Sequence, residues 1–321
     1  MSKQEDNSQV VMQSNNTVEF NDPVTVKVSK FCTRNNLDVL CGKGIDKLKF
    51  TTYNINRPGL QLAGFYTHFV HQRIQVLGEM ESAYINNLSH DDRVRTLDKL
   101  FGYGFPCMIV SSGIKPCQEI IDAANKHKHI LFSSPLNTTV LINDLSFYLN
   151  ELLAKSQTVH AVLVDMYGIG VMITGDSGVG KSEAALELIQ RNHRLVADDA
   201  VQIKCINGVL VGQSPPIIKH FMEIRGIGIV DIRNIYGAGA ISNSKAIDIV
   251  IHLEDWQADK QYDRIGTMTQ EYAILGKVLP KYVIPVKPGR NIAIILEVAA
   301  RNHRLRAMGY DTIKELEERM K

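Results

Sequence analysis

Residues Gly175-Asp176-Ser177-Gly178-Val179-Gly180-Lys181-Ser182 have the G-x-x-x-x-G-K-[ST] spacing of a phosphate-binding loop. Glycines let successive backbone N–H groups curl round phosphate oxygens, and the following helix N-terminus adds partial positive charge. Lys181 is placed to reach the β- and γ-phosphates, and the Ser182 hydroxyl to ligate Mg²⁺. The setting fits. Gly170-Val171-Met172-Ile173-Thr174 reads as a buried strand, and Glu183 to Arg191 has apolar residues at helical spacing. The motif is read as a site for a nucleoside triphosphate or a related polyphosphate.

A phosphate loop does not by itself separate a kinase from an ATPase or a nucleotide-gated switch. Other residues must decide. Asp198-Asp199 places two carboxylates together at the end of an apolar segment, where one could serve a metal and another could take a proton. A solvated turn or a helix cap explains the same pair. Glu223-Ile224-Arg225 could face a polyanion or form a structural ion pair. Arg264, after Asp263, could stabilise transition-state charge or simply be a surface residue. His160, read as the start of the strand before the loop, fits a structural role when taken alone. Pro285 to Asn291 is a stiff, basic loop that suits an anion or a plain connector.

These residues need a frame. At 321 residues the chain has room for two cored domains, and its 45% hydrophobic and 22% charged content is ordinary for a soluble protein. A net charge of +2 gives no bulk attraction to nucleic acid or membrane, and no apolar run is long enough for a membrane span. The five cysteines form no C-x-x-C pair, so a zinc cluster is not indicated and reduced thiols in a cytoplasmic protein are expected. His68 and His71, three apart on an expected helix, have no carboxylate framework for a metal.

The Asn-, Gln- and Ser-rich residues 1–20 are expected to be a disordered tail. Residues 21–153 alternate short strands and helices, which predicts an α/β domain with a largely parallel sheet. Its helices are predicted over Leu60–His71, Glu79–Leu88, Gln118–Asn125 and Val140–Leu153. Its strands are predicted at Arg73–Leu77, Cys107–Ser111 and His129–Phe132. In residues 154–321, strands outnumber helices. Predicted strands run over Val159–Met166, Ala246–Leu253 and Asn291–Glu297, with a hairpin at Asn207-Gly208 and a helix over Ala299–Met308. A standard doubly wound sheet is not expected there.

Taken in order, several runs resemble the HPr kinase/phosphorylase family of the bacterial phosphotransferase system. They are Arg57 to Phe65, Arg73 to Gly78, the phosphate loop, Arg194 to Asp199, Met222 to Gly228 and Pro285 to Asn291. The resemblance covers nearly the whole chain from about residue 24. It implies an N-terminal α/β sheet domain of uncertain role and a C-terminal P-loop kinase domain resembling phosphoenolpyruvate carboxykinase. It implies a cytoplasmic homohexamer acting on the protein HPr. ATP or pyrophosphate would phosphorylate a seryl hydroxyl, and inorganic phosphate would remove the group as pyrophosphate. On the same ground, Asp199 is expected to be the acid/base supported by Asp198 and His160. Lys181 would bind phosphate, Ser182 and Glu223 would serve Mg²⁺, and Arg264 would be catalytic. Pro285 to Asn291 would serve mainly dephosphorylation. One departure is Ala161 after His160, where the family usually has Gly.

The competing readings differ in chemistry. A nucleotide-gated switch would rely on Glu254-Asp255 rather than Asp198-Asp199. A carboxykinase-type enzyme would phosphorylate a small molecule, and a scaffold module would leave the polar groups around the loop without a task.

Overall fold

The computed structural model describes residues 22–42, 44–260, 262 and 270–320. The expected tail and Arg264 lie outside them. The chain forms two compact units, Met1–Leu153 and Ala154–Lys321.

The first unit runs β1 (Val24–Lys27), α1 (Val28–Asn35), β2 (Asp38–Cys41), β3 (Lys47–Phe50), β4 (Ile55–Asn56) and α2 (Gly59–Leu62). It continues with β5 (Ile74–Leu77), α3 (Glu79–Asn87), α4 (His90–Phe101), β6 (Met108–Val110), α5 (Gln118–Lys126), β7 (Leu131–Ser133) and α6 (Thr138–Leu153). The main sheet has the order β2-β7-β6-β5-β4, parallel except for β2, while β1 and β3 form a separate antiparallel pair. Apolar residues cover both faces, as a parallel sheet requires. Phe31, Phe50, Leu145 and Leu149 fill one side, and Ile85, Leu97, Leu100 and Phe101 the other.

Two expectations fail here. The helix predicted over Leu60–His71 stops at Leu62, because Gly64 and His68 take positive φ and Tyr66 and Phe69 pack with Tyr103 instead. Helix α4 was not foreseen from its charged surface. Its Ser89 cap accepts the N–H of Asp92, and only Leu97, Leu100 and Phe101 are buried.

The second unit runs β8 (Ser156–His160), β9 (Val162–Met166), β10 (Ile169–Gly175), α7 (Lys181–Gln190), β11 (Arg194–Ala197), β12 (Ala200–Ile206) and β13 (Val209–Gln213). Then come β14 (Phe221–Ile224), β15 (Gly228–Asp231), α8 (Ile232–Tyr236), β16 (Ser244–Ala246), β17 (Ile249–Asp255), β18 (Gln270–Ile274), β19 (Lys277–Val286), α9 (Ile292–Ala307) and α10 (Thr312–Arg319). A six-stranded sheet, β11-β9-β10-β17-β19-β18, is parallel only through β10, β17 and β19. A four-stranded antiparallel sheet, β16-β13-β12-β8, covers one of its faces, and α7 and α9 cover the other. The period of two is visible in β10. Val171 and Ile173 point toward the helices, and Met172 toward the small sheet.

The strand predicted over Val159–Met166 is two strands in two sheets, separated at the buried Ala161. The strand predicted over Asn291–Glu297 is the first half of α9. Its β-branched Ile292, Ile294 and Ile295 favour a strand locally, but the Asn291 side chain caps the helix by accepting from the N–H of Ile294. Ala293, Leu296, Glu297 and Ala300 then fall on the buried face.

Glu297 fixes this packing. Buried at 8% exposure, it accepts from Arg191 at 2.7 Å, His193 at 2.9 Å and Tyr167 at 3.0 Å. Arg191 first, then His193 and Tyr167, outweigh burial and hold its carboxyl at about 2. A lowered carboxylate stabilises the fold above its unfolded value, and that stability is lost as pH falls toward the folded value. Glu297→Gln should therefore cost about 3 kcal/mol in urea unfolding at pH 7. The gap from wild type should shrink between roughly pH 4 and pH 2. An undiminished gap at low pH would assign the loss to packing instead.

Candidate active site

The site forms where the chain twice passes from one sheet to the other. The first crossing, at Ala161, leaves His160 at the end of β8. The second, at Asp198-Asp199, joins β11 in the large sheet to β12 in the small one. The crossings are hydrogen-bonded side by side, with Ala161 N–H donating to the Asp199 carbonyl at 3.3 Å. His160 Nδ1 therefore lies 2.9 Å from Asp199 Oδ1 and 3.0 Å from its carbonyl oxygen. Sequence reasoning had His160 opening a single strand. Its position at a strand end is what brings it to Asp199, while the Ala161 methyl fills the space between the sheets.

The phosphate loop joins β10 to α7. Gly175 has φ +145°, and a Cβ there would sit 2.3 Å from the Leu253 carbonyl oxygen on neighbouring β17. Gly178, at φ +92°, leaves room for Arg225, whose Nη1 lies 2.7 Å from the position a Cβ would take. Glycine is required at both positions. Lys181 donates from Nζ to the carbonyls of Gly175 and Asp176, each at 2.9 Å, so its ammonium sits at the mouth of the loop. Val179 differs from its neighbours: its side chain joins the core and its N–H bonds to Asp176 within the loop.

Asp198 and Asp199 have opposite environments. Asp198 is 4% exposed and accepts from the Ser182 hydroxyl at 2.9 Å and the Glu223 N–H at 3.1 Å. Burial, with a further contribution from the charge of Asp199, pushes its carboxyl above the ordinary range. Asp199 has a left-handed backbone, φ +64°, and a side chain 62% exposed. The tight turn at Asp198 (Ala200 N–H to its carbonyl, 2.7 Å) sends the two side chains apart.

One pocket gathers His160, Ser177, Gly178, Gly180, Lys181, Ser182, Asp198, Asp199, Glu223 and Arg225. Glu183 also lines it, a first-turn residue of α7 that sequence reasoning read only as a helix former. Glu223 and Arg225 come from the β14–β15 hairpin, whose alternation places both toward the loop. Pro285 to Asn291 does not line this pocket; Asn291 bonds Glu187 of α7, and Lys287 lies over the Trp256 ring. Glu254, the carboxylate of the switch reading, is paired with Lys260 at 2.7 Å and is also outside the pocket lining.

The Asp198 contacts make a specific expectation. In Asp198→Asn the amide oxygen can accept from Glu223 N–H while the amide nitrogen donates to Ser182, whose hydroxyl turns to accept. That variant should unfold within about 1 kcal/mol of wild type in urea. Asp198→Ala leaves a buried N–H unpaired and should lose roughly 2–3 kcal/mol. Equal losses in the two variants would show that charge, not hydrogen bonding, holds the turn.

Comparison with known proteins identifies the family of the chain. The model of the HPr Serine kinase C-terminal domain matches residues 151–320, and that of the HPr Serine kinase N terminus matches residues 26–149. An HPr kinase/phosphorylase from a Thermoanaerobacter species is 50% identical over 286 residues, covering 89% of this chain and 94% of the relative. One from Lactiplantibacillus plantarum is 42% identical over 298 residues, covering 92% and 95%. The solved Hpr(Ser) kinase/phosphatase from Coxiella burnetii aligns with 50% of this chain and 98% of its own, at 36% identity and a TM-score of 0.46. With both family domains matched in order and close relatives aligned almost end to end, this chain belongs to the HPr serine kinase family.

Proposed function

We propose that this protein transfers a phosphoryl group from ATP, or from pyrophosphate, to a seryl hydroxyl of HPr. We propose that it also removes that group with inorganic phosphate, releasing pyrophosphate. The observation that carries the reading is the exposed Asp199 carboxylate, 2.9 Å from His160 Nδ1, beside a phosphate loop whose Ser182 is tied to the buried Asp198.

The roles follow from the environments. Asp199 is the group a substrate hydroxyl can reach, and it takes the seryl proton as the hydroxyl attacks the terminal phosphorus. His160 holds that carboxylate in place. Lys181 and the loop N–H groups orient the donor phosphates and balance their charge, with Arg225 closing the loop from the hairpin side. In the reverse direction, inorganic phosphate occupies the γ-phosphate position and attacks the phosphoserine. Asp199 then returns a proton to the departing seryl oxygen, as microscopic reversibility requires. Arg264 is proposed to share in stabilising transition-state charge.

Mg²⁺ is the metal that the reading implies. Among the described residues no three His, Cys, Asp or Glu side chains converge to hold a metal alone. That suits Mg²⁺, which keeps its waters and binds through one or two protein oxygens plus substrate phosphates. Ser182 commits its proton to Asp198 and leaves lone pairs free, and Glu223 supplies a carboxylate in the same pocket. When bound between these residues and the phosphates, the ion would neutralise charge developing on the bridging and terminal oxygens.

A protein substrate fits better than a small one. The hairpin that carries Glu223 and Arg225 exposes Phe221, Ile227 and Ile229, and Ile227 and Ile229 are more than 70% exposed. Such an apolar rim suits contact with a protein surface. We propose further that the enzyme works in the cytoplasm as a homohexamer, with HPr lying across neighbouring subunits.

Asp199→Asn is the test. With HPr, Mg²⁺ and ATP, wild type should form phosphoseryl-HPr, then lose it with pyrophosphate release when excess phosphate is added. The variant should be slower in both directions by about 10²–10⁴-fold. ATP hydrolysis by wild type with no label on HPr would sink the protein-kinase reading, and loss of one direction only would sink the shared acid/base.

A further inference from the structure

We propose that the first unit carries a binding site for a small molecule bearing several phosphate groups, in the cleft between β3 and the loops that precede β6 and β7. The cleft has a volume of about 440 Å³, within the range of small-ligand sites. Its lining includes Lys47, Lys49, Lys128, His127, Gln72 and Phe105, and among the described residues no Asp or Glu belongs to it.

The fold places the three lysines together. In β3, Leu48 and Phe50 are buried in the core, so Lys47 and Lys49 both point outward on the opposite face. Lys128 follows the end of α5 with φ +56°, where glycine is the usual residue. A lysine held in that conformation costs roughly 1 kcal/mol, which the surrounding structure must offset.

The cleft also lacks internal neutralisation. None of the three lysines is in an ion pair among the described residues. Asp98, the carboxylate bound to His127 at 2.6 Å, is shared with Lys126 at 2.7 Å. Like charges that repel each other without a counter-charge are stabilised by a polyanion. The flat aromatic platform of a single-strand nucleic-acid site is missing, because Phe105 is buried against His129.

Tripolyphosphate without Mg²⁺ is a suitable probe, titrated calorimetrically into the full chain at low salt. Wild type should show two sites, one at the phosphate loop and one here. Lys47→Gln/Lys49→Gln/Lys128→Gln should lose one site, or weaken it by at least tenfold, and keep the other. A triple variant with the same charge change elsewhere, Lys30→Gln/Lys115→Gln/Lys314→Gln, should keep both. Circular dichroism and ATP-dependent labelling of HPr check that each variant is folded. A single site in wild type, or two unchanged sites in the cleft variant, overturns the proposal. Co-sedimentation with phosphatidylglycerol vesicles that the cleft substitutions abolish would overturn it in favour of a lipid surface.

Discussion

The second unit depends on one buried carboxylate. Asp198 accepts from Ser182 at the start of the loop helix and from Glu223 on the hairpin, and it ends the strand that crosses between the sheets. Three segments distant in sequence are thereby fixed within hydrogen-bond length of one side chain. Taking a carboxylate out of water is costly unless its lone pairs are satisfied. Two well-placed donors offset part of that cost, and the raised proton affinity shows the part that remains. A group so confined cannot easily swing toward a substrate, so its contribution is to hold the other groups still.

What the sequence made legible follows the reach of its interactions. The phosphate loop could be read because its requirements are local: glycines with positive φ, a strand before and a helix after. The Asn207-Gly208 hairpin was legible for the same reason, with both residues at positive φ. Errors arose where tertiary context overrode the local pattern. Ile292, Ile294 and Ile295 look like a strand, yet Asn291 caps them and α7 and the sheet bury one face as a helix. Leu60 to His71 looks like a helix until an aromatic cluster binds its second half elsewhere. The break at Ala161 could not be read at all, since nothing in a run of apolar residues marks a change of sheet.

That unreadable break is also what completes the site. Had Val159–Met166 been one strand, His160 would have stayed in the same ladder as Val162, with no neighbour from the turn at Asp199. Because the chain changes sheets at both Ala161 and Asp198-Asp199, a histidine and a carboxylate from the two crossings meet at 2.9 Å. Resemblance to known sequences named both residues, but the geometry supplies the reason they belong together. The same crossing excludes a simpler role for Asp198-Asp199 as a solvated turn, since one member is almost fully buried.

The division of labour within the pair is set by backbone conformation. Adjacent carboxylates of similar exposure would compete for the same proton and the same cation. The left-handed φ of Asp199, costing roughly 1 kcal/mol for a residue with a side chain, turns it toward solvent while Asp198 turns inward. Burial then separates the two chemically. Burial raises the proton affinity of the inner carboxyl and hides it from solvent, while the outer one is exposed beside His160. Here the separation arises at a single peptide unit, so the strain at Asp199 and the burial of Asp198 are two sides of one constraint: neither arrangement can be relaxed without losing the other.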